Sequence, residues 1–118
     1  MDNTDNPLNP SDMVFVSNFN LGDLGIKPAH SVLIHIFACR CDPSWKVKIQ
    51  SPKMAYYTGM SERTISRLLS ELREMGWLDT THEFNEWTVD INPARDILWA
   101  QLKVWRPEVA NIIAKRKE

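Results

Sequence analysis

Residues 51–72 of the chain read SPKMAYYTGMSERTISRLLSEL. Ser51 followed by Pro52 places a capping residue before a proline at the first helical position, which predicts the start of a short helix. Gly59 interrupts this helix, and Ser61 is the expected N-cap of a second one. The stretch therefore predicts two helices joined by a tight turn. Apolar residues recur on one face of the second helix, at Ile65, Leu68, Leu69 and Leu72.

The two predicted helices match the spacing of a helix-turn-helix motif over about residues 51–76. With Ser51 as the first position, Ala55 is the fifth, where a small side chain lets the two helices cross closely. Gly59 is the ninth, where the turn needs a left-handed backbone. Thr58, at the eighth position, departs from the pattern, because an apolar residue is usual there. The positions that should face the core hold Met54, Met60, Ile65 and Leu68.

The segment before the motif predicts a helix and a strand. Residues 45–49 alternate Trp, Val and Ile with two lysines, which predicts a short half-buried strand. Residues 1–12 are rich in Asn, Asp and Pro and are predicted to be disordered. Met13–Val16 is expected to form a small strand or an extended brace. Pro28 suits the first turn of a helix that runs to Arg40, with Ala29, Val32, Leu33, Ile36 and Phe37 at helical spacing.

The segment after the motif predicts a hairpin followed by helices. Trp77–Thr80 and Trp87–Ile91 are the expected strands, and His82–Glu86 is their expected turn. Asn92-Pro93 begins one further helix and Pro107 begins another. The residues expected on the inner faces of these C-terminal helices, which span 92–118, are Ile97, Leu98, Leu102, Trp105, Val109, Ile112 and Ile113.

The chain from about Leu24 to Ile91 resembles the winged helix-turn-helix domains of bacterial regulators and of plasmid and phage replication proteins. The resemblance rests on MSERTISRLLSELREMGWL, in which Gly76-Trp77-Leu78 leads from the second helix of the motif into the wing. It implies an α+β fold, mainly α, in one domain over residues 13–118. Its parts are a helix-turn-helix at 51–76, a short hairpin wing at 77–91 and extra C-terminal helices at 92–118.

The same resemblance implies sequence-specific binding of double-stranded DNA, by a transcription regulator or by a plasmid or phage replication protein. In such families the helix that matches Glu62–Met75 lies in the major groove. Arginine suits the acceptor pair of guanine, Ser and Thr suit phosphates or base edges, and Glu can accept from cytosine. The positions expected to meet DNA are Ser61, Glu62, Arg63, Thr64, Ser66, Arg67 and Ser70, with Lys53 as a phosphate contact.

The charge distribution favours a polyanion in one region and disfavours it in another. The net charge is −1, yet residues 27–76 carry +4 whereas 1–25 and 77–102 each carry −4. A central basic block is a local electrostatic footprint for nucleic acid. The second helix of the motif, however, has as many Glu as Arg, and the wing turn has two acids and no Lys or Arg. The alternative is therefore a winged-helix module for protein–protein interaction without direct DNA readout.

Other classes of function are not indicated by the sequence. The three histidines are scattered and no glycine-rich phosphate loop is present, so an enzyme is not expected. Cys39 and Cys41 lack the second pair of ligands that a structural zinc site needs, and no cofactor is expected. No apolar run has the length of a membrane span, and the acidic start does not resemble a signal peptide. The expected location is cytoplasmic, with no membrane partner.

Two interpretations of the C-terminal helices stay open. In the first, they fold back and complete the core. In the second, part of their apolar face, including Trp99 and Trp105, pairs two protomers. A homodimer of this kind would read two half-sites of DNA. The basic run Lys115-Arg116-Lys117 is expected to be a solvated helix end, and contact with phosphate is the alternative.

Overall fold

The computed structural model describes residues 6–12 and 24–116. The strands form one antiparallel sheet in the order β1-β3-β2. The described chain is therefore mainly helical with a small antiparallel sheet, which confirms the α+β class. In chain order, its main elements are α1 (Pro28–Arg40), β1 (Lys46–Gln50), α2 (Ser51–Thr58), α3 (Glu62–Glu74), β2 (Asp79–Glu83), β3 (Glu86–Asp90), α4 (Asn92–Trp105) and α5 (Pro107–Lys115).

Helix α1 is buried on more than one face, because it packs against α2, α3 and β1. Leu33 and Phe37 are fully enclosed, as the helical spacing predicts. Val32, which was also expected to face the core, is 42% exposed. Ile34 and Ala38 are buried instead, because the packing elements also cover a face that the predicted stripe leaves outside.

Strand β1 has the predicted alternation, with Val47 and Ile49 buried and the lysines exposed. Trp45 is buried too, but it precedes the strand because its backbone is left-handed, with a φ of +67°. The Trp45 carbonyl still accepts a hydrogen bond from the backbone N–H of Ile91 at 3.0 Å. The sheet therefore continues by one hydrogen bond beyond the regular strand.

Helix α2 begins one residue earlier than its expected cap allows. Ser51 lies inside the helix and Gln50 takes the N-cap position, so the predicted capping role of Ser51 is wrong. The Ser51 hydroxyl instead accepts a hydrogen bond from the sheet, because the indole Nε1–H of Trp87 donates to Ser51 Oγ at 3.1 Å. The backbone N–H of Ser51 also donates to the Asn85 carbonyl at 2.7 Å. Ser51 thus joins the start of α2 to the hairpin.

The turn between α2 and α3 confirms the role of Gly59 and explains Thr58. Gly59 has a φ of +72°, and its N–H donates to the Ala55 carbonyl at 2.9 Å. The Thr58 hydroxyl donates to the Met54 carbonyl at 2.8 Å and accepts from the Met60 N–H at 3.1 Å. The departure from the motif therefore supplies hydrogen bonds to the turn, a use of Thr that is common in such positions.

Helix α3 forms as the sequence predicts. The Ser61 hydroxyl caps it by accepting from the backbone N–H of Thr64 at 3.1 Å. Gly76, with a φ of +80°, follows its C-terminal end, and the N–H of Trp77 donates to the Leu72 carbonyl at 3.0 Å. The predicted inner face is buried, at Ile65, Leu68, Leu69 and Leu72.

The hairpin is longer and its turn tighter than expected. Trp77 and Leu78 are buried ahead of the first strand, which begins only at Asp79. The residues expected to form the turn lie mostly in the strands, and the turn itself is Phe84-Asn85. A cross-strand pair accounts for this register: His82 lies opposite Trp87, and their rings stack with centroids 4.1 Å apart.

Residues 6–12 are ordered and pack on the C-terminal helices, so the disorder predicted for residues 1–12 is wrong for this part. Leu8 is 1% exposed, and Asn6 and Asp12 are also buried. The Arg116 guanidinium pairs with the Asp12 carboxylate at 2.6 Å. The cause is a long-range contact with α4 and α5, which local composition does not reveal. Residues 1–5 and the expected strand or brace at Met13–Val16 lie outside the described residues.

Helices α4 and α5 use most of their apolar surface within the chain. Ala110 and Ile113 of α5 are buried, and Trp99 of α4 is half-buried against the core. Ile112, expected on the inner face, is 63% exposed. Val104 is the other strongly exposed apolar residue among the described part of these helices.

Replacing Gly59 by Val is expected to lower the free energy of unfolding by about 1–3 kcal/mol, because a β-branched residue is strained at positive φ. A Cβ at this position meets no atom within 4 Å, so the loss is one of backbone conformation and not of space. Gly59→Asn is the matched control and should lose less, since Asn tolerates the left-handed region. Thermal or urea unfolding measures both, and equal losses would contradict this account of the turn.

Candidate nucleic-acid interface

The exposed face of α3 presents two arginines along its centre line. At 100° per residue, Arg63, Arg67 and Ser70 lie opposite the buried leucines. All three are exposed, and so are Glu62 and Ser66. Within the residues that the structure describes, Arg63 and Arg67 make no hydrogen bond or ion pair. Their guanidinium groups are therefore available to an external acceptor.

Two of the residues predicted to meet DNA have a structural role. The Ser61 hydroxyl donates to Thr64 Oγ1 at 2.9 Å, in addition to accepting from the Thr64 N–H. Thr64 is half-buried. The two hydroxyls thus close the first turn of α3, and the freer polar groups of the helix are those of Arg63, Ser66, Arg67 and Ser70.

A buried histidine, which the sequence interpretation missed, ties α3 to α1. His30 is almost fully buried, and its Nδ1 accepts from the backbone N–H of Lys27 at 3.2 Å. The ring proton therefore lies on Nε2, which donates to Glu71 Oε1 at 2.8 Å. This bond fixes α3 against the start of α1. The sequence did hold a signal for this contact, because His30 is a polar residue within the largely apolar stretch 29–37.

The Glu71 carboxylate carries a stable negative charge in this arrangement. The hydrogen bond from His30 lowers the pKa of Glu71, and the positive charges of Lys27 and Arg67 lower it further. A carboxylate whose pKa falls on folding stabilises the fold above its unfolded pKa, and this contribution is lost as the pH falls through the folded value. The tie between α1 and α3 is therefore weakened by acid and intact near neutral pH.

A basic groove lies between β1, α2 and the end of α1. Arg40, Lys48 and Lys53 contribute three cations to a space of about 440 Å³, and Glu86 contributes the single acid. The Arg40 guanidinium lies over the Tyr57 ring at 4.1 Å from its centroid, a cation–π contact that holds both side chains in the groove wall. Residues of α3 do not line this groove. Lys53 thus lies with Arg40 and Lys48, apart from Arg63 and Arg67.

The hairpin, defined here as residues 77–91, is acidic throughout. It has four acids and no Lys or Arg. Glu83 lies opposite Glu86 across its strands, and Asp79 lies opposite Asp90. No cation is present along it to hold a phosphate, so a wing of the usual phosphate-binding kind does not fit these residues.

The tip of the hairpin exposes an aromatic side chain. Phe84 is 97% exposed. Its φ is +56°, and the left-handed region costs a residue other than glycine about 1–2 kcal/mol. Phe84 is therefore both strained in its backbone and unburied within its own chain.

Other kinds of site find little support in the described ranges. Within the described ranges, 6–12 and 24–116, no three His, Cys, Asp or Glu side chains lie close enough together to hold a metal ion. Cys39 is exposed and Cys41 is half-buried, and both are free thiols. Burial raises the pKa of the Cys41 thiol, and the neighbouring Asp42 carboxylate raises it further. No helix in the same ranges is long and apolar enough to cross a membrane.

The candidate interface thus has three distinct surfaces: the arginine face of α3, the basic groove beside β1 and the acidic hairpin with its aromatic tip. The first carries most of the residues predicted to meet DNA. The second carries Lys53.

No family model matches the sequence, and neither a characterised protein nor a solved structure matches the chain.

Proposed function

We propose that the chain binds double-stranded DNA in a sequence-specific manner, with α3 as the recognition helix of a winged helix-turn-helix. The corresponding roles are those of a transcription regulator or of a plasmid or phage replication protein. The observation that carries the proposal is the pair Arg63 and Arg67, exposed one turn apart and without a hydrogen bond or ion pair among the described residues. A helix that is buried on one face and presents unpaired arginines on the other is suited to an external anion or base edge.

The chemistry of this face suits a major groove. An arginine side chain can donate two parallel hydrogen bonds to O6 and N7 of guanine. Ser66 and Ser70 can donate to phosphates or base edges. The N-terminal end of α3 also carries the positive end of the helix dipole, which favours an approaching phosphate.

The rigidity of α3 supports the same proposal. The helix is held by four buried apolar residues, by the Ser61 cap and by the bond between His30 and Glu71. Side chains on a fixed element lose less freedom on binding and are placed more reproducibly than side chains on a loop. The arginines are thus presented by one of the most constrained elements of the chain.

Replacing Arg63 or Arg67 by Ala tests the proposal directly. DNA selected from a random pool by the wild type serves as the ligand, and Arg106→Ala serves as a control with an equal loss of charge at the α4–α5 junction. If one arginine contacts guanine in the bidentate manner, its loss should cost about 1–3 kcal/mol at one base position and relax the preference there. Stability should change little, because neither side chain is buried.

The salt dependence separates base contacts from phosphate contacts. Affinity should fall as the salt concentration rises, because each neutralised phosphate releases counterions. A variant that loses only a phosphate contact should weaken all sequences alike. If the Arg63/Arg67 double variant binds selected DNA as tightly as the wild type does, α3 is not a recognition helix.

The second candidate function is a protein–protein interaction module without DNA readout. The acidic hairpin favours it, because four carboxylates and no cation repel a phosphate backbone. The equal numbers of Arg and Glu on α3 favour it as well. A wild-type chain that enriches no sequence from the random pool would support this second function.

Assembly bears on how a DNA site would be read. A homodimer through the C-terminal helices, one of the two interpretations that the sequence leaves open, would have Val104 and Ile112 as its strongly exposed apolar residues. Trp99 and Trp105 are half-buried, so less of the apolar surface is open to a second copy than the sequence suggests. A selected DNA site with two-fold symmetry would indicate that the chain binds as a dimer.

A further inference from the structure

Hydrogen bonds join the hairpin tip to the start of α2, whereas the aromatic side chain at the tip is 97% exposed. The Asn85 carbonyl accepts from the Ser51 N–H at 2.7 Å, and the Trp87 indole donates to the Ser51 hydroxyl at 3.1 Å. Stacking of His82 on Trp87 stiffens the strands behind the turn. Phe84 is therefore displayed at a fixed position, in a backbone conformation that is unfavourable for it. A strained backbone at an exposed aromatic residue is the observation from which a functional contact for Phe84 is inferred.

The tip and the basic groove have complementary charges. The tip places Glu83 directly before Phe84, whereas the groove has Arg40, Lys48 and Lys53 against a single acid, Glu86, which the hairpin itself contributes. The groove also offers an aromatic surface, the Tyr57 ring, and Tyr57 is 41% exposed. Its space of about 440 Å³ is larger than a phenyl ring. An acidic segment with one aromatic anchor is thus the kind of ligand that the groove fits.

The tip and the groove are close neighbours on the same face of the chain. Gln50, which lines the groove, pairs with Glu86 of the hairpin. Phe84 itself is not part of the groove lining and is almost fully exposed. A two-fold axis beside the tip would bring each tip to the groove of the other copy, and one symmetric contact would satisfy both.

We propose that two copies of this chain associate by this exchange, with Phe84 of each copy seated in the basic groove of the other. Glu83 lies against the lysines of that groove, and the ring of Phe84 packs beside Tyr57. The contact uses no exposed residue of α3, but it covers Lys53, which the sequence predicts as a phosphate contact. It gives the acidic hairpin a role that a phosphate-binding wing cannot fill.

Sedimentation of the full chain over a range of concentrations tests the proposal. The wild type should show a monomer–dimer equilibrium that weakens as salt rises. Phe84→Ala should raise the dissociation constant about 30-fold, the effect of losing an aromatic anchor. Ile112→Ala, which removes an exposed apolar side chain from α5, is the matched control and should leave the equilibrium unchanged. Melting curves establish that both variants are folded.

Charge reversal makes the test specific for the two surfaces. Glu83→Lys and Lys48→Glu should each be monomeric, because each places like charges in both contacts. A mixture of the two variants should dimerise again, because opposite charges then face each other in both contacts. A monomeric wild type, an unchanged Phe84→Ala variant or an unrestored mixture would overturn the proposal. So would loss of the dimer in Ile112→Ala alone, which would assign assembly to the C-terminal helices.

Discussion

Trp77→Ala is expected to lower the free energy of unfolding by about 3–5 kcal/mol, the range for removing a buried Trp side chain. Trp77 is 3% exposed and belongs to the main core cluster. It directly follows Gly76, and its N–H bonds back to α3 at the Leu72 carbonyl. The cavity left by its indole would therefore lie where α3 meets the hairpin. Urea unfolding followed by circular dichroism measures the loss.

Trp99→Ala is the matched control for this prediction. Trp99 is half-buried on α4, and its ring lies 5.5 Å from the Lys103 ammonium. Part of the ring is already in water, so its removal should cost less, about 1–3 kcal/mol. A loss at Trp77 no larger than that at Trp99 would contradict the placement of Trp77 in the core.

Arg95→Ala is expected to lower the free energy of unfolding by about 2–6 kcal/mol, because it leaves two buried carbonyls without a donor at about 1–3 kcal/mol each. The Arg95 side chain is buried and donates to the backbone carbonyls of Asn6 and Leu8. Its guanidinium also lies over the Trp45 ring at 4.5 Å from the centroid. Calorimetry or urea unfolding measures the effect.

A double-mutant cycle identifies the partner of Arg95. Leu8→Ala alone should also destabilise the fold, since Leu8 is a buried residue of the segment 6–12. If residues 6–12 are held by Arg95, the two changes should cost less together than the sum of their separate costs. Arg106→Ala, at an exposed ion pair with Glu108, should cost less than about 1 kcal/mol. Additive losses for Arg95 and Leu8 would show that the segment is held by other contacts.

The elements that depend on local chemistry could be predicted from the sequence. Gly59, the Ser61 cap and the apolar face of α3 follow from helix capping and spacing, and all three were predicted. The hairpin register was not, because it depends on the ring of Trp87 meeting that of His82 across two strands. The failure of Ser51 to act as the N-cap has the same kind of explanation. The Trp87 indole that donates to the Ser51 hydroxyl is 36 positions away in the sequence.

The candidate site shows the same division. The exposure of Arg63 and Arg67 could be predicted, because the buried stripe of α3 determines which positions face outward. The basic groove could not, because Arg40, Lys48 and Tyr57 meet only when α1, β1 and α2 pack together. The tie between His30 and Glu71, which are 41 positions apart, is likewise a product of packing. The order of residues 6–12 was missed because their polar composition conceals Leu8 as a core residue.

The bond between residues 6–12 and α4 also has a consequence for the order of synthesis. Asn6 and Arg95 are 89 positions apart, so a ribosome makes the first long before the second exists. Until α4 emerges, the carbonyls of Asn6 and Leu8 lack the Arg95 guanidinium that binds them in the finished fold. Closing so long a loop is favourable only when the contacts at its end form together. Residues 6–12 are therefore expected to gain protection from proteases only once α4 has been made.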